Sequence, residues 1–395
     1  MKNANNTNLS IKSISEETTI QIYEAVTPKE KETIYHFRYQ IYIEEMSKTI
    51  KEVDYYNQQL HDDLDDWAIL LYAKIGSEIV GTARINIGSF GDFSKELTKS
   101  LNLHIFQNCI TDYSYNIAFL TKLMVAANHR SSPVLYLLIG KCYEICCTNR
   151  VEFGFGICNF HLPRLYEHMG FHRYTKNFTL PGYGLQIPLV MLANDIQHFR
   201  TVRSPLFRLA RKREIVNTQA VDWFHENIIK HSTIINSQLI TQDEFWSILS
   251  AHLSGSPAGT IAILKGLSEE EAKTFLHSCS SYIHCETGEL ITPQGDVSYS
   301  HNLLLSGKLK SLTFQRPAKE YARPGQHFGA NGLTEHNKHT EDIIVTSPAE
   351  ILVLSGMAFQ RFFHSYPEIA HKIVYNTTRL ARERLHSLRS KSSHL

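Results

Sequence analysis

A chain of 395 residues is too long for one ordinary core, so two domains and a connector are expected. The formal charge of +1 gives no global pull toward nucleic acid, and 43% apolar content with 11% aromatics supports folding throughout, except at the ends. No apolar run reaches membrane-spanning length, no signal-peptide stretch opens the sequence, and seven irregularly spaced cysteines without a CxxC pair indicate neither disulfides nor zinc, so a cytoplasmic protein with reduced thiols is expected.

The polar opening, residues 1–14, reads as disordered. Residues 18–25 (TTIQIYEA) alternate as a strand, and 28–46 follow as a helix with Thr27 as cap and Pro28 at an early position. Residues 67–75 and 78–87 form two strands joined at Gly76-Ser77, and 117–126 a further strand. Ser132 is placed as N-cap of a helix over 133–148, giving a strand, a turn carrying Arg130 and a helix N-terminus, which is physically an anion site. The ordinary alternative is a plain strand-to-helix connection with a surface arginine. A strand over 153–158, a helix over 162–169 stopped by Gly170 and a strand over 186–192 complete the set. His168 and His172 have the spacing of a metal pair, but Gly170 interrupts any helix between them, and no metal is assigned.

The basic run 200–213 (RTVRSPLFRLARKR) reads first as a solvated helix face, and could also meet an acidic carrier protein or an anionic membrane surface. A helical connector over 206–258 ends in the Gly/Ser/Pro break 254–259. Residues 259–388 bring a helix, many short strands with glycine turns and closing helices, before a tail at 389–395.

Taken in order, Arg38, the acidic cluster 62–66, Gly81-Thr82-Ala83-Arg84, residues 121–125 (TKLMV), Arg130, 166–171 and 181–191 (PGYGLQIPLVM) resemble the GNAT N-acyltransferases over roughly 15–205. The resemblance is closest to the branch of autoinducer synthases and long-chain N-acyl amino acid synthases. The implied fold class is α+β: a GNAT fold, a helical connector, then a cyclic-nucleotide-binding-like β-roll with flanking helices. The implied activity is N-acyl transfer from an acyl-carrier-protein (acyl-ACP) or acyl-CoA thioester to a small-molecule amine such as an amino acid. Where CoA-binding relatives carry glycines, residues 130–135 read RSSPVL, which cradles a pyrophosphate poorly and favours one phosphodiester on acyl carrier protein.

The resemblance places the donor at Met124 and Val125, whose backbone N–H groups would polarise the thioester carbonyl, and at Arg130, Ser131 and Ser132. Tyr166 matches the residue that protonates the departing thiolate; it could equally pack the helix on the sheet. Asp63, Asp66 and His161 are candidate bases, with a helix-capping role open for His161. Arg38 and Arg84 could hold an acceptor carboxylate or pair with the acidic cluster. Where autoinducer synthases carry a Glu before a Ser/Thr-x-Arg segment of the central strand, the corresponding residues here are Phe119 and Lys122. The resemblance thus implies an altered substrate-amine contact, with Lys122 a candidate substrate-binding residue.

Gly288-Glu289-Leu290-Ile291, residues 303–307 (LLLSG) and 325–329 (GQHFG) resemble the cyclic-nucleotide-binding fold. Its phosphate cassette is degenerate here: Phe328-Gly329 is followed by Ala330 where the family has Glu, and the arginine position falls on Thr340 or Glu341. Tight cAMP or cGMP binding is therefore not expected, and packing, homodimer formation or the sensing of something else is the expected role. The competing readings are a cyclic-nucleotide-controlled protein-lysine acetyltransferase using acetyl-CoA, and an inactive acyl or lipid sensor.

Overall fold

In the computed structural model, residues 19–107, 109, 116–130, 132–213, 217–313 and 317–392 are described. Ser131, the opening segment 1–14 and residues 393–395 of the tail lie outside them. The first helix, Pro28–Tyr39, begins where Thr27 and Glu30 exchange hydrogen bonds: the Thr27 hydroxyl accepts from Glu30 N–H (3.3 Å) and the Glu30 carboxylate from Thr27 N–H (2.9 Å). The helix expected to reach residue 46 instead widens into a π-helical turn, Gln40–Glu45. Such turns are frequent at functional sites, and this one brings Ile41, Tyr42 and Met46 to the wall of a mostly apolar cavity.

An eight-stranded sheet carries the first domain. Ile20–Glu24, Ile69–Ile75, Glu78–Gly88, Asn116–Val125, Val151–Asn159 and Gly184–Leu192 lie side by side. Phe178–Leu180 and His172–Arg173 both pair with the last of these. All neighbours are antiparallel except Asn116–Val125 and Val151–Asn159, whose parallel pairing stops at Leu120 opposite Gly156. Helix Val134–Thr148 covers one face through Val134, Leu138, Cys142 and Cys146; Phe106, Phe153 and Phe155 build the other.

Two details depart from the sequence reading. The helix Val134–Thr148 is capped by Pro133, not Ser132; Ser132 Oγ donates to His129 O (2.6 Å) and accepts weakly from Val134 N–H (3.4 Å). Residues 95–106, left without structure by the sequence reading, form helix Lys95–Ser100 and the turn Leu103–Phe106, which seat Phe106 against Phe153 and Phe155. The basic run 200–213 buries Val202, Leu206 and Ala210, and Arg213 binds Asn194 Oδ1 (2.6 Å), so one side of it is packed against the sheet.

The second sheet is six-stranded: Ser280–Cys285, Asp342–Ser355, Ser300–Leu312 and Glu320–Tyr321 in order, with Leu290–Thr292 and His327–Phe328 attached. Helices Glu269–Cys279, Gly356–Ser365 and Pro367–Ser392 flank it. The two domains share one contiguous apolar core, which joins Ile187 and Leu189 of the first to Ile291, Leu304 and Val353 of the second. Polar links cross the same seam. Arg173 Nη1 donates to Tyr282 O (2.7 Å), Asn177 Nδ2 to His284 O (2.7 Å), and Lys48 pairs with Asp296 (2.6 Å).

Candidate active site

The central strand carries one residue too many. Thr82 pairs with Met124 but Arg84 with Thr121, so Lys122 and Leu123 together oppose Ala83 in a β-bulge, with Lys122 in the left-handed region at φ 52°. Beyond this bulge the strand no longer pairs with Val151–Asn159, and a cavity of 330 Å³ opens between the two. Phe119, Ile157, Leu64 and Leu97 line it on one face of the sheet, and Leu135, Leu162, Leu165 and Tyr166 on the helix-covered face. The cavity therefore passes through the sheet.

Ala126 N–H donates to Val80 O (2.9 Å). Because bonding direction alternates along a strand, the Val125 amide faces away from Glu78–Gly88, toward the gap. The Val125 carbonyl on that edge accepts from Arg130 Nε (3.2 Å). The Met124 amide, one residue earlier, belongs to the paired side, opposite Thr82.

The acidic cluster sorts by the three-residue period of a 3₁₀ turn. Asp62 caps the turn Asp63–Asp66, and Asp62 and Asp65 share the inward face, while Asp63 and Asp66 are exposed and line no part of the cavity. The two carboxylates proposed as bases from sequence are thus the two that the turn directs outward; Asp62 lines the cavity instead.

Asp65 is buried and binds Arg38 through both oxygens (2.8 and 2.9 Å). Arg38 is fully buried and lies behind the cavity wall, so of the two open roles the structure gives it the ion pair. Arg84 does line the cavity. It is fixed by Asp62, by Asp65 (3.2 Å) and by Thr121 Oγ1, which accepts from Nε (2.9 Å). Burial raises the Asp62 pKa, but Arg84 and Lys122 outweigh it, and the net direction is down.

Lys122 Nζ donates to Tyr183 OH (2.7 Å), lies 3.5 Å from Asp62, and faces the rings of Tyr183 and Tyr42. Burial, with Arg84 nearby, pushes its pKa down to about 7. Burial raises the Tyr166 phenol above its ordinary value, so it stays protonated. His161 also lines the cavity, stacked on Tyr299 (5.4 Å between centroids), and burial pushes its pKa down to about 3.

The anion site expected at Arg130 is already occupied by a carboxylate. Glu45, at the end of the π-helical turn, binds both guanidinium nitrogens (2.6 and 2.7 Å) and accepts from Tyr299 OH (3.1 Å). Tyr299 and Met357 come from the second domain and line the cavity, which sequence reading could not anticipate; Tyr183 and Glu45 were missed as well.

In the second domain, Phe328 is buried and Gly329 sits at φ 72° with the His339 ring 3.2 Å from the position of an added Cβ. Ala330 N–H donates to His339 Nδ1 (3.0 Å). Thr340 is exposed, and Glu341 accepts from Tyr321 OH (2.6 Å). A buried histidine thus takes the amide that follows Gly329.

A parallel strand pair that splays at a bulge, with a cavity through the gap, is the arrangement of a GNAT-like fold. Residues 33–195 match the family model "N-acyl amino acid synthase FeeM", and residues 282–366 the "Cyclic nucleotide-binding domain". Residues 33–195 thus form an acyltransferase-type domain and residues 282–366 a cyclic-nucleotide-binding-type domain.

Among solved structures, FeeM from uncultured soil microbes is 13% identical, with 50% of this chain and 99% of that one covered and a TM-score of 0.38. The Thermus thermophilus catabolite activator protein is 23% identical over 33% of this chain, with a TM-score of 0.28, and the match spans 63% of that protein's length. A Lactobacillus plantarum putative N-acetyltransferase is 11% identical, with 45% and 99% covered and a TM-score of 0.32. The assignment rests on the family matches and the sheet topology, not on these distant likenesses. No curated protein sequence matches the chain significantly. No described helix is long and apolar enough to cross a membrane.

Proposed function

We propose that the protein transfers a long-chain acyl group from a pantetheine thioester, carried on acyl carrier protein, to the amine of an amino acid or closely related small molecule. The observation that carries this reading is the cavity itself: mostly apolar walls on both faces of the sheet, with Arg84, Lys122 and Asp62 gathered at one place in it. A cation and an anion in one cavity suit the carboxylate and ammonium of an amino acid, and the apolar walls suit an alkyl chain rather than an acetyl group.

Lys122 is the base in this reading, since Asp63 and Asp66 lie outside the cavity and His161 is too weakly basic to hold a proton at neutral pH. Neutral Lys122 takes a proton from the acceptor ammonium. The freed amine attacks the thioester carbonyl, whose oxygen is polarised by the Val125 amide; the C–N bond forms and the C–S bond breaks. Tyr166 gives its proton to the leaving thiolate, the second proton of the acylated nitrogen restores the phenol, and Lys122 releases the first proton to solvent. The second domain serves as a wall of this site and not as a nucleotide receptor, because His339 takes the amide of its cassette.

Purified protein supplied with pooled amines and either palmitoyl-carrier protein or acyl-CoA, followed by mass spectrometry, tests the proposal. An N-acyl amino acid formed mainly from the carrier donor is expected. Product from acetyl-CoA alone would overturn it in favour of an acetyltransferase, and product from neither donor would favour a sensor.

A further inference from the structure

A second cavity, of 250 Å³, lies at the seam between the domains, and Leu165 and Met357 line both it and the first. Its charged lining is one-signed: Arg164 from the first domain and Arg361 from the second, with His168 between, and no Asp or Glu among the lining residues. Arg164 donates to a neutral partner, Ser237 Oγ (2.7 Å), and Arg361 Nη2 donates to the Met357 sulfur (3.8 Å). Glu167, on the same helix as Arg164, is taken by Arg173 (2.7 Å). Among the described residues, neither lining arginine is ion-paired.

The ten-residue helix Gly356–Ser365 runs along this wall from Ser355 to Tyr366, so both of its ends adjoin the cavity and the net charge there comes from the arginines. Arg130, in contrast, is neutralised by Glu45. The unmatched positive charge that adjoins the acyl cavity is therefore at the seam and not at the turn where sequence placed it. Two arginine forks lining one small cavity from different domains suit a multi-oxygen anion of tetrahedral shape better than a planar carboxylate.

We infer that the seam cavity binds a phosphoryl group, and that this group is the phosphodiester of the donor whose thioester occupies the neighbouring cavity. The attribution to the donor rests on the acyl-transfer reading; the attribution to phosphoryl chemistry does not. The second domain then supplies, through Arg361 and its helix, a donor contact that replaces the missing glycine-rich turn.

The test uses the full chain and the variant Arg361→Gln, which is exposed and so should fold. Calorimetric titration with inorganic pyrophosphate should show saturable binding to the wild type and at least tenfold weaker binding to the variant; no binding, or equal binding, overturns the site. In kinetics, the variant should raise KM about tenfold for palmitoyl-carrier protein and leave KM unchanged for palmitoyl-N-acetylcysteamine, which has no phosphate. If pyrophosphate binding is lost while both KM values hold, the site takes a separate phosphorylated ligand and the donor attribution falls. Should neither thioester react at all, the titration still decides the phosphoryl site by itself.

Discussion

Glu45 and Arg130 meet fork to fork, two oxygens on two nitrogens, although 85 residues separate them in sequence. Both side chains keep about a quarter of their surface exposed, so the pair contributes to stability at the modest level of solvent-screened ion pairs, up to about 1 kcal/mol. Its larger effect is to cover the arginine. Glu45→Gln uncovers it and should lower the donor KM by roughly threefold, whereas Arg130→Ala should change it by less than that. A strong rise in KM for Arg130→Ala would show that the pair opens and that Arg130 grips the donor directly.

Lys122 as base gives a definite pH profile. Its pKa near 7 means that kcat/KM should rise with pH through about 7 and level off above, because only the neutral amine accepts a proton. Lys122→Met should lower kcat by about 10²-fold or more and abolish that limb. Lys122→Arg, which keeps the charge and cannot deprotonate, should fail to rescue. Near-normal turnover in the arginine variant would mark Lys122 as a binding cation instead.

Tyr166→Phe should lower kcat by about 10²-fold with donor KM little changed, if the phenol protonates the thiolate. A full-rate variant would leave the residue with its packing contact to Phe171 alone.

The acidic cluster should divide by side chain. Asp65→Ala leaves Arg38 buried and uncompensated and should cost about 3–5 kcal/mol by urea denaturation. Asp63→Ala and Asp66→Ala, both exposed, should change stability by less than about 0.5 kcal/mol and leave turnover intact.

Acid should destabilise the fold through buried histidines. Burial depresses His198 and His339 to about 4 and holds His172 well below its ordinary value. Between pH 6.5 and 4 the unfolded chain binds protons that the native one refuses, so stability is complete above 6.5 and falls as pH is lowered through that window. Urea midpoints measured across it should decline, and His198→Phe should flatten the decline; a midpoint independent of pH would refute the assignment. Millimolar cAMP, by contrast, should leave the melting temperature unchanged at any pH.

The regular elements were legible because their signals are local. Thr27-Pro28 marked the first helix, Gly76-Ser77 the hairpin and Gly170 a helix stop, and each stands where the sequence placed it. The site was legible only as a neighbourhood. That Asp62 and not Asp63 enters the cavity depends on a 3₁₀ turn, which shifts which residues share a face without any change in composition. A helix continued to residue 46 would not have shown the π-helical turn that carries Glu45 to Arg130. Tyr299 and Met357 reach the cavity from a separate domain, so no spacing within the first domain could have announced them. Tyr183 had a cue, an aromatic between two glycines in PGYGL, which a closer reading of the turn could have used.

The bulge at Lys122 makes the opening in the sheet a matter of counting. A strand reads odd and even residues onto opposite faces, and one surplus residue resets that parity for everything after it. Deleting a single position there would turn Met124 and Val125 over to the opposite faces of the sheet. The direction in which the Val125 amide points is therefore set by how many residues the strand contains as well as by which residues they are.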